Sequence, residues 1–251
     1  MLNIVIPMAG KGSRFANVGY ALPKPLIPVH GHPMISLVTR NLRPNFPHRY
    51  IFLCLQEHIE KYQVDRLLKG WEPGCEIVTV DRITEGAACT VLLAKEFINN
   101  GDSLMIANSD QWVDTDINSY LDTMSAQNLD GLIMTMWADD PKWSFVRLDD
   151  KGLVTEVVEK KVISNEATVG IYNFRRGADF VAAAEMMIEK NERVNGEFYV
   201  APAYNELILQ NAKIGYFNIG KVGDGMYGLG VPEDLNFFLT SPVSGKAIGQ
   251  V

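Results

Sequence analysis

The chain has 251 residues, 47% of them hydrophobic and 21% charged, with a formal charge of −7. Those values describe a globular chain long enough to bury a substantial core, and they exclude a disordered or fibrous protein. The acidic balance has no basic block, so it offers no footprint for a nucleic acid or an anionic membrane surface, and any anionic ligand must be met locally.

The opening MLNIVIPMAG lacks a basic segment and soon turns polar, so it is expected to be neither a leader nor an anchor. No apolar run reaches the roughly 18 residues of a membrane span, and a cytoplasmic location is expected. NIVIP (3–7), YIFLCL (50–55), CEIVTV (75–80), SLMIAN (103–108) and GLIMTMW (131–137) read as strands. Between them, 33–42, 57–68, 86–97 and 117–124 carry helical periodicity. Alternation of this kind predicts a mostly parallel sheet flanked by helices, with ligands at the carboxyl ends of the strands. Residues 7–14 and 108–114 should therefore face one crevice.

From about residue 138 the pattern changes to strands at 144–148, 153–160 and 167–174, then helices at 178–191 and 201–209. With no Pro/Gly/Ser linker, a single domain over 1–251 is expected, its halves being 1–137 and 138–251. Cys54, Cys75 and Cys89 form no CxxC pair and read as reduced, mostly buried thiols. His30, His32, His48 and His58 lack metal-ligand spacing and are expected at the surface or in loops. Trp112, Trp137 and Trp143 fit core or pocket-wall positions.

Two stretches concentrate chemistry. Gly10 and Gly12 follow the first strand and let backbone N–H groups approach anionic oxygens closely, while Arg14 adds a planar donor fork. In PKPLIP, Pro23 and Pro25 stiffen the chain around Lys24, push its neighbours toward extended backbone and fix where the ammonium points. A plain turn and an exposed loop lysine would not explain that pairing. No GK[ST] ends the glycine run, which excludes a P-loop. Asp110 alone reads as a turn or N-cap residue, and Glu159-Lys160-Lys161 alone as a solvated charge cluster.

Together, MAGKGSRF and LPKPLIPV resemble the signature of the sugar-phosphate nucleotidyltransferases, which make nucleotide sugars and related activated alcohols. The resemblance implies an α/β fold, Rossmann-like and of the GT-A-like nucleotidyltransferase type, with an acceptor-binding α+β half after the nucleotide-binding half. It implies Arg14, Lys24 and Asp110 as catalytic residues, with Met8, Ala9, Gly10, Lys11, Gly12, Ser13 and Arg14 around the nucleotide and Asp110 on Mg²⁺. TEGAACTVLLA is similar to the segment under the nucleobase and ribose, which implies Glu85, Gly86 and Ala87 there. VVEKK and SNEATVGIY imply Glu159, Lys160 and Thr168 at the acceptor, NGEFYV implies Glu197, and Trp143 is expected to line that site. Family members carry a second metal-binding aspartate two residues before a Gly-Thr-Pro-like turn. Here Gly228 and Val231 stand in that motif, and Asp224 is the candidate substitute.

The implied reaction joins the nucleoside monophosphate of a triphosphate to a small phosphorylated acceptor and releases pyrophosphate. The wording of TEGAACTVLLAKEFINN and RVNGEFYVAPAYNELI resembles small bacterial enzymes of surface-polysaccharide gene sets, with CTP ahead of UTP and dTTP. Which base and which acceptor are used is left open, as is homo-oligomer formation. A GT-A-type glycosyltransferase, for which Asp114-Thr115-Asp116 would supply a DxD, is the alternative from another class. An inactive nucleotide-binding protein is the third reading.

Overall fold

Runs rich in Ile, Val, Leu and Phe build the strands β1 (Leu2–Pro7), β2 (Pro28–Val29), β3 (His32–Pro33), β4 (His48–Leu55), β5 (Glu76–Val80), β6 (Ser103–Ala107) and β7 (Gln111–Val113). The chain continues through β8 (Gly131–Trp137), β9 (Ser144–Leu148), β10 (Val154–Glu159), β11 (Glu166–Phe174), β12 (Ile214–Val222) and β13 (Gly225–Gly228). The computed structural model describes residues 1–249, and Gln250 and Val251, the last two of the expected domain, lie outside the described residues.

Eleven strands form one sheet in the order β5-β4-β1-β6-β11-β8-β12-β13-β7, with the β9-β10 hairpin attached through β11. β5, β4, β1 and β6 are parallel, as expected. The sheet as a whole is mixed, which corrects the expectation of a mostly parallel one: β11 pairs antiparallel with both β6 and β8. The cause is the connection after β8, which returns through the β9-β10 hairpin rather than a crossover helix. Because β11 lies between β6 and β8, the stretch expected to bind the acceptor does not form a separate α+β half.

Helical periodicity located the helices Met34–Asn41, Ile117–Ala126, Gly177–Glu189 and Ala203–Leu209. The expected helix over 57–68 is two, Gln56–Tyr62 and Val64–Trp71, because Gln63 adopts a left-handed φ of 53°. That over 86–97 is also two short pieces, Ala87–Leu92 and Lys95–Ile98. β12, β13 and the helix Pro232–Thr240 had no counterpart in the sequence reading. β12 is mostly exposed over its second half and lacks the continuous apolar run that marked the inner strands.

One face of the sheet buries Ile4, Ile6, Phe52, Met105 and Met134 under Met34–Asn41 and Ile117–Ala126. The other buries Val5, Ile51, Leu104, Ile106 and Phe174 under Gly177–Glu189 and Ala203–Leu209. A third cluster, around Phe15, Ile27, Trp112, Tyr227, Leu229 and Phe238, ties the segment after β1 to β7 and β13. Each fully buried side chain of this size contributes roughly 1.5–3 kcal/mol. Trp112 is therefore core, as expected, whereas Trp137 is half exposed at the end of β8. His58 is buried rather than at the surface, because its helix lies against the sheet, and that burial lowers its pKa. Cys54 and Cys75 are buried free thiols, and Cys89 is partly buried. Among the described residues, no helix is long and apolar enough to cross a membrane.

Gly170 interrupts β11 at φ 81°, where the register with β8 shifts between Thr168 and Tyr172. A Cβ there would overlap the Asn108 amide and lie 2.9 Å from Gln111 Oε1. Gly170→Ala should destabilise the protein by roughly 3 kcal/mol in urea unfolding, whereas Gly101→Ala, with open space around it, should cost far less.

Candidate active site

Strand order reverses between β1 and β6: the chain runs outward through β4 and β5, then crosses back to place β6 on the other side of β1. Such a switch point opens a crevice beyond the carboxyl ends of the two strands. The loop after β1 and Asp110, just after β6, flank it.

Met8 and Ala9 are buried beneath the crevice, and the Met8 N–H donates to Leu53 O at 3.0 Å. Gly10, Lys11, Ser13 and Arg14 are exposed. Gly12 takes a left-handed φ of 61°, which opens the single-turn helix Ser13–Ala16, and a Cβ there would lie 3.2 Å from Lys24 Cβ. The glycine thus lets the loop close onto the lysine stem. Pro23 is extended, but Lys24 to Leu26 form one 3-10 turn rather than the continuous extended segment that the prolines suggested. Buried Pro25, Leu26 and Ile27 hold this turn. Lys24 Nζ donates to Asp110 Oδ2 at 2.7 Å across 86 residues of sequence, with both side chains about a quarter exposed.

The segment at 84–88 is placed by tertiary contacts. The Phe198 N–H donates to Glu85 O at 2.8 Å, and the Ala88 N–H donates to Phe198 O at 3.0 Å. Gly86, at φ 127°, presses on the Phe198 backbone, with which any Cβ would collide. The Phe198 backbone by itself requires glycine at this position. Glu85 is exposed and pairs with Arg193, whose guanidinium lies 4.3 Å from the Phe198 ring centroid.

Beside this segment lies a cavity of about 280 Å³. Ala87, Asn108, Trp143, Glu159, Thr168 and Tyr199 line it, among others. Glu159 is 7% exposed, accepts from the Ser144 hydroxyl, and pairs with Lys160 Nζ at 3.2 Å. Lys160, at a left-handed φ of 55°, also sets its ammonium 4.8 Å from the Tyr199 ring centroid. Thr168 Oγ1 and the Tyr172 hydroxyl are hydrogen-bonded at 3.0 Å. Glu197, by contrast, is exposed and does not line the cavity; burial raises the pKa of the nearby Tyr199 hydroxyl, and the Glu197 carboxylate raises it further. Tyr199, Tyr172 and Ser144 were missed by the sequence reading, which treated the glutamate and lysine as the signal and had no local motif for their partners. A larger cavity, about 570 Å³, opens at the amino ends of the parallel strands around Leu2, Phe46, Met124 and Arg175, far from all of these groups.

Asp224 is not brought to Asp110. Leu229, just past β13, donates its N–H to Asp110 O at 2.8 Å, whereas Asp224 precedes β13 in the turn that leaves β12, where its backbone bonds Lys221. The Asp114-Thr115-Asp116 motif is spent locally: Asp116 caps Ile117–Ala126 by accepting from the Asn118 and Ser119 N–H groups, and Asp114 pairs with Lys246. Asp110 does fit a magnesium ligand. It is a partly exposed carboxylate that already holds a cation, the Lys24 ammonium, and glycine at 230 leaves room beside it, since a Cβ there would lie 2.6 Å from Oδ2. Mg²⁺ commonly takes one or two carboxylates, with phosphate oxygens and water completing its shell.

Residues 4–209 match the family model for nucleotidyl transferases. The chain is 27% identical over 233 residues to the bifunctional protein GlmU of Methanococcus aeolicus, covering 89% of this chain and 52% of that protein. It is also 27% identical over 271 residues to the protein of that name from Methanococcus maripaludis, covering 98% and 57%. It spans about half the length of these relatives. Among solved structures it resembles the nucleoside-diphosphate-sugar pyrophosphorylase of Vibrio cholerae RC9, with a TM-score of 0.81 and 28% identity over 95% of this chain and 100% of that one. The inositol-1-phosphate CTP transferase of T. maritima shares the fold, with a TM-score of 0.75 and 14% identity over 99% and 95%.

Gly86→Ala should force the 84–88 segment off Phe198 and lower stability by roughly 2 kcal/mol, read as a shifted urea midpoint at unchanged slope. An unshifted midpoint would show that this contact does not hold the segment.

Proposed function

The chain belongs to the nucleotidyl transferase family, within the sugar-nucleotide pyrophosphorylase superfamily, and from that premise we propose that it moves a nucleoside monophosphate from a triphosphate to a small phosphomonoester. Pyrophosphate is released, and CTP is the first candidate donor, followed by UTP and dTTP. The observation that carries this reading is the meeting of Lys24 and Asp110 at the switch point, beside the glycine loop.

An oxygen of the acceptor phosphate attacks the α-phosphorus, forming a new P–O bond, while the bond from the α-phosphorus to the β-phosphate bridging oxygen breaks in line. The second pKa of a phosphomonoester is about 6, so the nucleophile is already mostly a dianion and no general base is required. Protein catalysis is then positioning and charge compensation. Backbone N–H groups of the 8–13 loop and the Arg14 guanidinium bind the triphosphate. Lys24, now paired with Asp110, turns to the charge that develops at the α-phosphate. Asp110, thereby released, would hold Mg²⁺, which would supply charge compensation to the phosphates.

The cavity beside Gly170 takes the acceptor. Lys160, steadied by Glu159 and the Tyr199 ring, faces its phosphate, and Trp143 and Thr168 bound its body. Glu197 acts through Tyr199 rather than on the acceptor itself. The resemblance of the 84–100 and 193–208 segments supports a role in supplying surface-polysaccharide precursors. With Asp114 and Asp116 engaged in a salt bridge and a helix cap, nothing in the site favours the glycosyltransferase alternative.

A thermal-shift panel with Mg²⁺ and ATP, CTP, GTP, UTP or dTTP should show one triphosphate stabilising most. A ligand at 100 times its Kd adds about 2.7 kcal/mol. Stabilisation by a nucleoside diphosphate sugar with indifference to every triphosphate would overturn the reading. Lys24→Ala should lower kcat by about 100- to 1,000-fold in a pyrophosphate-release assay while leaving Tm nearly unchanged. Glu159→Gln should instead act mainly on the acceptor KM.

A further inference from the structure

Side chains of β11 alternate between the two faces of the sheet, with Ile171 in one apolar cluster and Tyr172 and Phe174 in the other. Asn173 falls on the Ile171 face, paired across the sheet with Met105 and Leu132, where the pattern calls for another apolar residue. It is 1% exposed, and its Oδ1 has no hydrogen-bond partner among the described residues. Burying such a group forfeits its hydration and gains nothing in exchange, which a leucine of similar size would avoid.

Asn173 lines the cavity of about 570 Å³ at the amino ends of the parallel strands, a volume in the range that small ligands fill. Leu121 and Met124 come to its wall from the helix Ile117–Ala126, and Leu2 and Leu129 extend the apolar surface. Arg175 also lines it, with its guanidinium fixed on Leu129 O at 2.8 Å and Asn128 Oδ1 at 2.9 Å. No Asp or Glu is among the lining residues.

We propose that this cavity is a second binding site, for a small ring that carries a carboxamide or lactam edge. A cationic ligand would find no carboxylate here, and the apolar wall would leave the hydroxyls of a sugar unpaired. A simple carboxylate presents acceptors only and cannot serve Asn173 Oδ1. An edge with adjacent N–H and C=O groups pairs with both ends of the Asn173 carboxamide, whichever way that amide is turned, while the ring rests on Leu121 and Met124. The site lies at the opposite ends of β1 and β6 from Lys24 and Asp110, so it does not depend on the function proposed for them.

Benzamide is the probe, titrated into the intact protein and followed through the methyl resonances of ¹³C-labelled methionines. The Met124 signal is assigned as the one missing from Met124→Leu. Benzamide should shift that signal saturably, and toluene and benzoate, which keep the ring and lack the amide edge, should bind about tenfold more weakly. Asn173→Leu should raise Tm, because leucine occupies the space without an unpaired amide, and should weaken benzamide by about tenfold without weakening toluene. Asn173→Ala, which demands no extra room, should weaken benzamide likewise. A Met124 signal unmoved by benzamide, equal affinities for benzamide and toluene, or wild-type benzamide affinity in both Asn173 variants would overturn the proposal.

Discussion

The parallel pairing of β1 with β6 is the constraint on which the site depends. Its register sets Val5 opposite Ile106, so the loop after Pro7 and the loop after Ala107 leave the sheet at the same level. Both strands are buried on their two faces, and a slip by one residue would turn Ile4 and Val5 to the wrong sides at once. The crevice is thus positioned by apolar packing before any polar contact forms.

A second constraint turns that crevice into a charged site. Phe15 and Ile27, on either side of Lys24, pack into the cluster that holds Trp112 and Leu229, on either side of Asp110 in space. Packing of these buried side chains brings together an ammonium and a carboxylate far apart in sequence. The ion pair itself is partly solvated and contributes little to stability, as exposed pairs generally do. On the proposed function it is a resting arrangement, in which each charge compensates the other until phosphates and a cation take over both.

The proposed acceptor cavity is built by a different device. Antiparallel β11, inserted between β6 and β8, carries Thr168, Gly170 and Tyr172 to the edge of the crevice. Glu159 arrives at the end of the β9-β10 hairpin, and Tyr199 on the segment that Gly86 receives. Three chain segments distant in sequence therefore share one small space. A cavity shaped this way can change its acceptor through loop residues while the phosphate machinery stays the same.

The glycine loop, the clamped Lys24, Asp110 and the inner strands were legible in the sequence because each is a local pattern. Continuous apolar runs specify doubly buried strands, and Gly or Pro at fixed offsets specify backbone shape. Local patterns carry no information about which strand lies beside which, so the antiparallel entry of β11 and the mixed sheet came only from the tertiary structure. The same holds for Tyr199, which reaches the site through a ring contact with Lys160, and for Gly86, whose partner is the backbone of Phe198. Sequence fixed the residue types that this chemistry needs, and chain direction in three dimensions decided which of them meet.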